Sequence, residues 1–236
     1  MGRAGGDELS RRRVARGENR LPPAFAVMVA IVVYALLPES LLFVYRLLIP
    51  GLEALLLVAL LATNPRQMTI RSRWSRWVSM TLSTVVIGTN LVSLGLLIRT
   101  LAAESPGGAT LLVAGMQVWV THVIGFALLY WELDRGGPIA RRRLTREDLP
   151  AADWRFSQDE NDDAVQEVRR GSSESSGWVP VFIDYLYLSV TNSSAFSPTD
   201  TMPLTSRAKL LMATQASAAL LTSLLVVARA VGALGG

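Results

Sequence analysis

The sequence predicts an all-α, polytopic integral membrane protein. It is a helix bundle of about six transmembrane segments, with the fifth either a crossing or a re-entrant loop. Three observations carry this. Half of the 236 residues are hydrophobic and the mean hydropathy is positive. The apolar residues gather in blocks long enough to cross a bilayer core, which takes roughly 20 helical residues per span, whereas buried strands seldom exceed about 8. The gaps between blocks alternate between arginine-rich and charge-poor, as expected when a chain crosses and recrosses a membrane.

Residues 1–20 are polar and basic and are expected to be disordered. The Ser10–Arg16 run resembles a twin-arginine export signal. No small-residue cleavage site follows Tyr34, so the run is read as an orientation signal. A four-helix transmembrane region is expected over 21–138. Its first block runs from Leu21 to about Leu37, with Pro22 and Pro23 suited to a helix start and Pro38 ending it. The second runs from about Leu41 to Ala62. Pro50 and Gly51 make it either a kinked helix or a short one starting near Ile49, with Arg46 snorkelling at an interface. The third, Trp77 to Ile98, lies between Arg76 and Arg99. The fourth, Ala109 to Trp131, ends in an aromatic pair that suits the interfacial belt and is stopped by Gly136, Gly137 and Pro138.

Residues 139–177 differ in kind. Arg141, Arg142 and Arg143 open the stretch, Asp159, Glu160, Asp162 and Asp163 make it acidic, and a Gly/Ser-rich run closes it. The expectation is a solvated polar cytoplasmic loop, with at most one short helix. The last region, 178–236, combines a short aromatic, half-polar segment, a polar turn and a final apolar helix from Ser206 to Val231.

Arginines fix the expected orientation. Clusters precede the first span (Arg11, Arg12, Arg13, Arg16, Arg20), separate the second from the third (Arg66, Arg71, Arg73, Arg76) and follow the fourth (Arg141, Arg142, Arg143, Arg146). They place the N-terminus and the 139–177 loop in the cytoplasm. In the plasma (inner) membrane of a bacterial cell, two arrangements follow. If residues 179–197 cross, there are six spans with both termini inside. If that segment folds back, there are five and the C-terminus is outside.

Composition excludes several chemistries. The chain has no cysteine, one histidine (His122) and one lysine (Lys209). Disulfides, thiolate metal sites and multi-histidine centres are therefore ruled out. No nucleotide-binding loop, hydrolase elbow or zinc motif occurs, so neither enzymatic activity nor a cofactor is expected. The net charge of +4 lies beside membrane blocks, so the expected counterpart is anionic membrane lipid, with no nucleic acid.

The candidate functional stretch is Asp184–Thr205. It places Asp184, Thr191, Asn192, Ser193, Ser194, Thr199 and Asp200 on a short segment leading into the last span. Leu186, Tyr187, Ser189, Asp200, Pro203 and Thr205 fit the frame in which this region resembles the pore of two-helix potassium channels: an aromatic pore helix, a filter, then a proline and threonine before the inner helix. The phrases Tyr130–Pro138 and Ala195–Pro203 make the whole chain similar to an uncharacterised family of bacterial polytopic membrane proteins, whose C-terminal segment resembles a degenerate potassium-channel pore loop. That resemblance brings no established activity. At the filter positions stand Ala195, Phe196, Ser197, Pro198 and Thr199. Glycines let successive carbonyls face a potassium ion, and proline fixes φ, so a looser polar pathway is what the frame implies. The resulting expectation is a channel-like protein with a weakly selective path for monovalent cations, built from a homo-oligomer, a tetramer if one pore segment comes from each chain. The alternative is a non-conducting structural or sensory protein whose cytoplasmic loop binds a partner.

Other polar residues fall inside apolar blocks: Glu53, Asn90, Gln117, His122 and Gln215. Asn90 and Gln215 are expected to meet Gln117, Thr121 and His122 in interhelical hydrogen bonds of about 1 kcal/mol each. Glu53 fits the first turn of a helix beginning at Pro50, or a mid-membrane cation or proton site if that helix begins near Ser40. Asp184 is read either as an intramembrane acid or as a helix-end cap. Glu132, Asp134 and Arg135 are read as an interfacial ion-pair cluster. Gly88, Ser93 and Gly95, with Ser217, Ala218 and Ala219, are expected to allow close helix contacts.

Overall fold

The structure is a computed structural model that describes residues 18–37, 48–63, 73–102, 108–160, 165–194 and 200–234. Helix α1 spans Leu21–Ala35, α2 Leu48–Thr63, α3 Arg73–Ala102 and α4 Gly108–Leu133. Pro22 and Pro23 lie in the first turn of α1, where a missing N–H costs nothing. Arg46 and Thr199 lie outside the described residues.

Helix α4 is the hub, packing against α1 and α3 on one side and against the two C-terminal helices on the other. Its composition permits this. A Cβ at Gly125 would meet the Ile87 and Val86 side chains at 3.0 and 3.1 Å, so glycine there lets α3 come close. Gly88 and Gly95 have open space around them. The close-approach glycines are Gly125 and Gly115, both on α4, the latter against the Val226 side chain, and the expectation that Gly88 and Gly95 serve this role is corrected. Ala218 and Ala219 are buried as expected, while Ser217 is exposed.

At the end of α4, Arg135, Gly136 and Gly137 all adopt left-handed φ values of 50°, 78° and 91°. This reverses the chain into a short helix α5, Pro138–Arg143. Glycine suits two of these positions for steric reasons. Beyond α5 the chain forms β1 (Trp154–Arg155), a 3-10 turn and two single-turn helices, then α6 (Phe182–Ser194), β2 (Met202–Pro203) and α7 (Ser206–Leu234).

Three helices are long and apolar enough to cross a membrane, over Trp77–Arg99, Leu112–Gly136 and Ser206–Ala228. Helix α1 is apolar but shorter, at 15 residues, and α2 has 16. The protein is thus a largely helical bundle compatible with a membrane, and six full spans are not reached among the described residues.

The fifth expected segment differs most. Helix α6 has 13 residues, about 20 Å of rise, which is short of a hydrocarbon core of about 30 Å. Its first residues sit at the end of α4: the Tyr185 hydroxyl donates to Asp134 Oδ2 at 2.5 Å. It then runs antiparallel to α4, with Ser189 Oγ donating to the Val123 carbonyl at 2.7 Å. Ser194 lies near Gly115 and Trp119. Yet Met202–Pro203 pairs antiparallel with Trp154–Arg155, back at the end where α6 began. The residues after α6 are thus tied by backbone bonds to the segment before it, and a sixth span is not confirmed among the described residues.

The 139–177 region also differs from a solvated loop. Arg141, Asp153, Trp154 and Phe156 are buried. Trp154 and Phe156 join the core around Tyr185 and Phe182, while residues 165–171 remain exposed. Tyr130 and Trp131 face inward rather than forming a lipid-facing belt, because each finds a buried acceptor for its polar tip.

Candidate functional site

Gln215, fully buried, gathers the polar residues of α4, α6 and α7. Its Oε1 accepts from the Tyr130 hydroxyl at 2.6 Å and from Asn192 Nδ2 at 2.9 Å. Its Nε2 donates to Ser193 Oγ at 2.9 Å, to Ser189 Oγ at 2.5 Å and to the Ser189 carbonyl at 3.1 Å. Its backbone carbonyl lies 3.1 Å from His122 Nε2. Asn192 Nδ2 also donates to the Met212 carbonyl at 3.0 Å. The side-chain carbonyl and amide are both engaged. An amide suits this place because it supplies two donors and an acceptor without charge.

A second, charged cluster anchors the loop end. Asp134 is fully buried at the end of α4. Its carboxylate accepts from the Asp153 N–H at 2.8 Å, from Tyr185 and from Arg135. Arg135 bridges on to Asp159. Arg141, also fully buried, donates to the Trp131 and Asp134 carbonyls at 2.8 Å each, and its guanidinium lies 4.9 Å from the Tyr185 ring centre. Glu18 completes the cluster. Its Oε1 accepts from Trp131 Nε1 at 2.8 Å and from the Phe182 N–H at 2.9 Å, and its Oε2 is 3.8 Å from Arg141. Asp153 pairs with Arg207 and accepts from the Thr205 hydroxyl at 2.6 Å, while its carbonyl accepts from the Leu204 N–H. Charges this deep are kept by being paired and hydrogen-bonded.

Of the expected site residues, Asn192 and Ser193 meet at Gln215. Asp184 caps α6, accepting from the Val181 N–H at 2.7 Å, which is the capping alternative. The Thr191 hydroxyl bonds to its own helix. Ser194 is exposed at the tip of α6, and Asp200 is exposed just before β2. Asn90 donates to Thr121 and to the Val118 carbonyl, as expected for interhelical bonding, and Gln215 meets His122. The Gln117 carbonyl accepts from the Thr121 hydroxyl. Glu53 is the sixth residue of α2 rather than in its first turn, and is 1% exposed. Glu132 accepts from the Ser79 hydroxyl, and Asp134 and Arg135 pair as read, though deep inside the fold rather than at an exposed interface.

Sequence reasoning missed Glu18, Arg141, Asp153, Tyr185 and Ser189. The signal available for the loop was Trp154 and Phe156, two aromatics inside an otherwise polar stretch.

Beyond Ser193 lies an open-sided cavity of about 350 Å³. Gly115, Met116 and Trp119 of α4 and Thr222, Ser223, Val226 and Val227 of α7 form its walls, with Ser193 and Ser194 at the α6 tip. Thr222, which shares this cavity with Ser193 and Ser194, stands sixteen residues past the start of the 29-residue α7, about 24 Å along it, so α6 ends roughly midway along that helix. No group of three or more His, Asp or Glu able to hold a metal ion occurs among the described residues. Comparison with protein-family models, curated proteins and solved structures finds no match to this chain.

Proposed function

We propose that this chain is a channel-like integral membrane protein of the plasma (inner) membrane, with a cytoplasmic N-terminus. In this reading it has about five crossings and α6 re-enters from the cytoplasmic side. The observation that carries it is the short α6, whose C-terminal end meets the hydroxyl-bearing cavity roughly midway along α7. A half-helix that ends inside a membrane points the negative end of its dipole at that spot, which favours a cation. Ser193, Ser194, Thr222 and Ser223 supply oxygen ligands nearby. The filter positions lack glycine, so the path is weakly selective among monovalent cations, and copies of the chain, a tetramer in the simplest case, enclose it. Gln215 and Tyr130 close the α6 face within one chain and define its shut state.

Cation flux into proteoliposomes tests this. Flux is expected from the wild type, and Ser194→Val and Asp200→Ala are expected to reduce it. Absence of flux from a folded oligomer across a range of voltage and pH would overturn the reading.

A second reading, a non-conducting structural or sensory protein, has its own support. The Gln215 network is closed, and Val165 and Val168 are exposed on the cytoplasmic segment beside Arg169 and Arg170, as a partner-binding loop would present them. Topology is tested separately by labelling cysteines placed at Asp200 and Glu174, both exposed in a chain that has no cysteine of its own. Both are expected to react from one side. Labelling from opposite sides would restore the six-span arrangement.

A further inference from the structure

Four helices converge on a small cavity of about 10 Å³, lined by Ala30 and Tyr34 of α1, Glu53 of α2, Val86, Thr89 and Asn90 of α3, and Thr121 of α4. That is room for roughly one water-sized particle. We propose that this cavity is a binding site for a single dehydrated sodium-sized cation, with the Glu53 carboxylate supplying the charge and the Asn90 side-chain carbonyl the second ligand. The site is distinct from the α6 tip and does not depend on conduction.

The chemistry of the lining is weighted toward acceptors. Glu53 Oε2 and Asn90 Oδ1 are both buried and neither has a hydrogen-bond partner. The Asn90 orientation is fixed: its Nδ2 donates to Thr121 and to the Val118 backbone carbonyl, which can only accept. Its oxygen is therefore the free end. The Thr121 hydroxyl donates to the Gln117 and Val118 carbonyls, and Thr89 donates to those of Val85 and Val86. Their protons are spent along their own helices, which leaves lone pairs. Tyr34 is the exception, a buried hydroxyl beside Ser93 without a hydrogen-bond partner, which brings one donor proton as well as an oxygen. The polar side chains lining the cavity thus offer oxygen, mostly as acceptor.

Charge points the same way. Among the described residues no arginine, lysine or histidine pairs with Glu53. Asn90 and Thr121 lie near the middle of the two spans Trp77–Arg99 and Leu112–Gly136. An unpaired carboxylate at that depth is costly, and polar groups kept there are commonly functional. A hard monovalent cation neutralises one carboxylate and takes oxygen ligands. With a single carboxylate, the site suits one positive charge rather than two.

The test uses the full-length protein in detergent. The thermal unfolding midpoint is followed as sodium chloride replaces choline chloride at constant ionic strength, and binding of radioactive sodium is measured in parallel. The expected result is saturable binding of one ion per chain, with a midpoint that rises with the logarithm of sodium concentration above half-saturation. Glu53→Gln should abolish both responses, and Asn90→Ala should raise the sodium concentration for half-saturation at least several-fold. No sodium binding and equal midpoints in the two salts would overturn the proposal and leave a carboxyl that holds only a proton. So would a sodium response that survives in Glu53→Gln. Should that variant fail to fold, direct binding to the wild type and its change in Asn90→Ala still decide.

Discussion

The two sides of helix α4 carry polar clusters at similar depth and treat them in opposite ways. Toward α6 and α7, the Gln215 side chain bonds to Tyr130, Ser189, Asn192 and Ser193. Toward α1, α2 and α3, Glu53 and Asn90 each keep a buried oxygen without a partner. A saturated network resists change, since removing any member leaves the others dry and unpaired. An unsaturated one is a standing cost unless something fills it. The first side has its hydrogen bonds made and the second has unpartnered oxygens, and single substitutions should tell them apart by sign as well as size.

The largest effect is expected where charge is locked. Arg141→Met leaves Glu18 without its cation and the Trp131 and Asp134 carbonyls without their donor. A loss of about 3–5 kcal/mol is expected, read as a collapse of the thermal midpoint or of the monodisperse fraction in detergent. Next comes Gln215→Ala, which strands the Tyr130 hydroxyl and takes from Asn192 one of its two bonds, leaving that to the Met212 carbonyl, and is expected to cost about 2–3 kcal/mol. Tyr130→Phe removes one donor to that hub and should cost about 1 kcal/mol, near the usual size of an interhelical hydrogen bond. Were Tyr130→Phe as damaging as Gln215→Ala, the bonds of the hub would stand or fall together as one cooperative unit instead of adding one by one. The smallest effect has the opposite sign. In sodium-free buffer, Glu53→Gln should leave stability unchanged or raise it by about 1 kcal/mol, because it removes an uncompensated charge. A large destabilisation there would erase the contrast between the two sides.

The apolar blocks made α1, α3, α4 and α7 legible to within a few residues, because hydropathy over about 20 residues is a strong signal. Pairwise meetings of mid-span amides could also be guessed, as with Asn90 and Thr121 or Gln215 and His122. What the pattern could not convey was depth. Arg141 read as an orientation signal, Asp134 as part of an interfacial ion pair and Asp153 only as a member of a solvated loop, yet each is buried and bonded, and a count of charges carries no record of their partners. The α6 segment stayed open for a related reason. Its length suited either a crossing or a fold-back, and what returns the chain toward the start of α6 is the two-residue pairing of Trp154–Arg155 with Met202–Pro203. Pairing that brief, between stretches almost fifty positions apart, leaves no trace in local composition.

Glu18 bears on the order of assembly. It reaches across 164 positions to the Phe182 N–H and also holds Trp131 and Arg141. Membrane proteins are made from the N-terminus onward, so this residue emerges early and waits until α6 has been synthesised. Until then Glu18 lacks the Phe182 N–H and Arg141 lacks the Tyr185 ring beside its guanidinium, and the loop end of α4 stays open. Completion of the bundle is thereby signalled by its last quarter. A chain interrupted before α6 would keep the Glu18–Arg141 pair but lack the Phe182 N–H on Glu18 and the Tyr185 hydroxyl on Asp134, leaving that end of the bundle under-bonded.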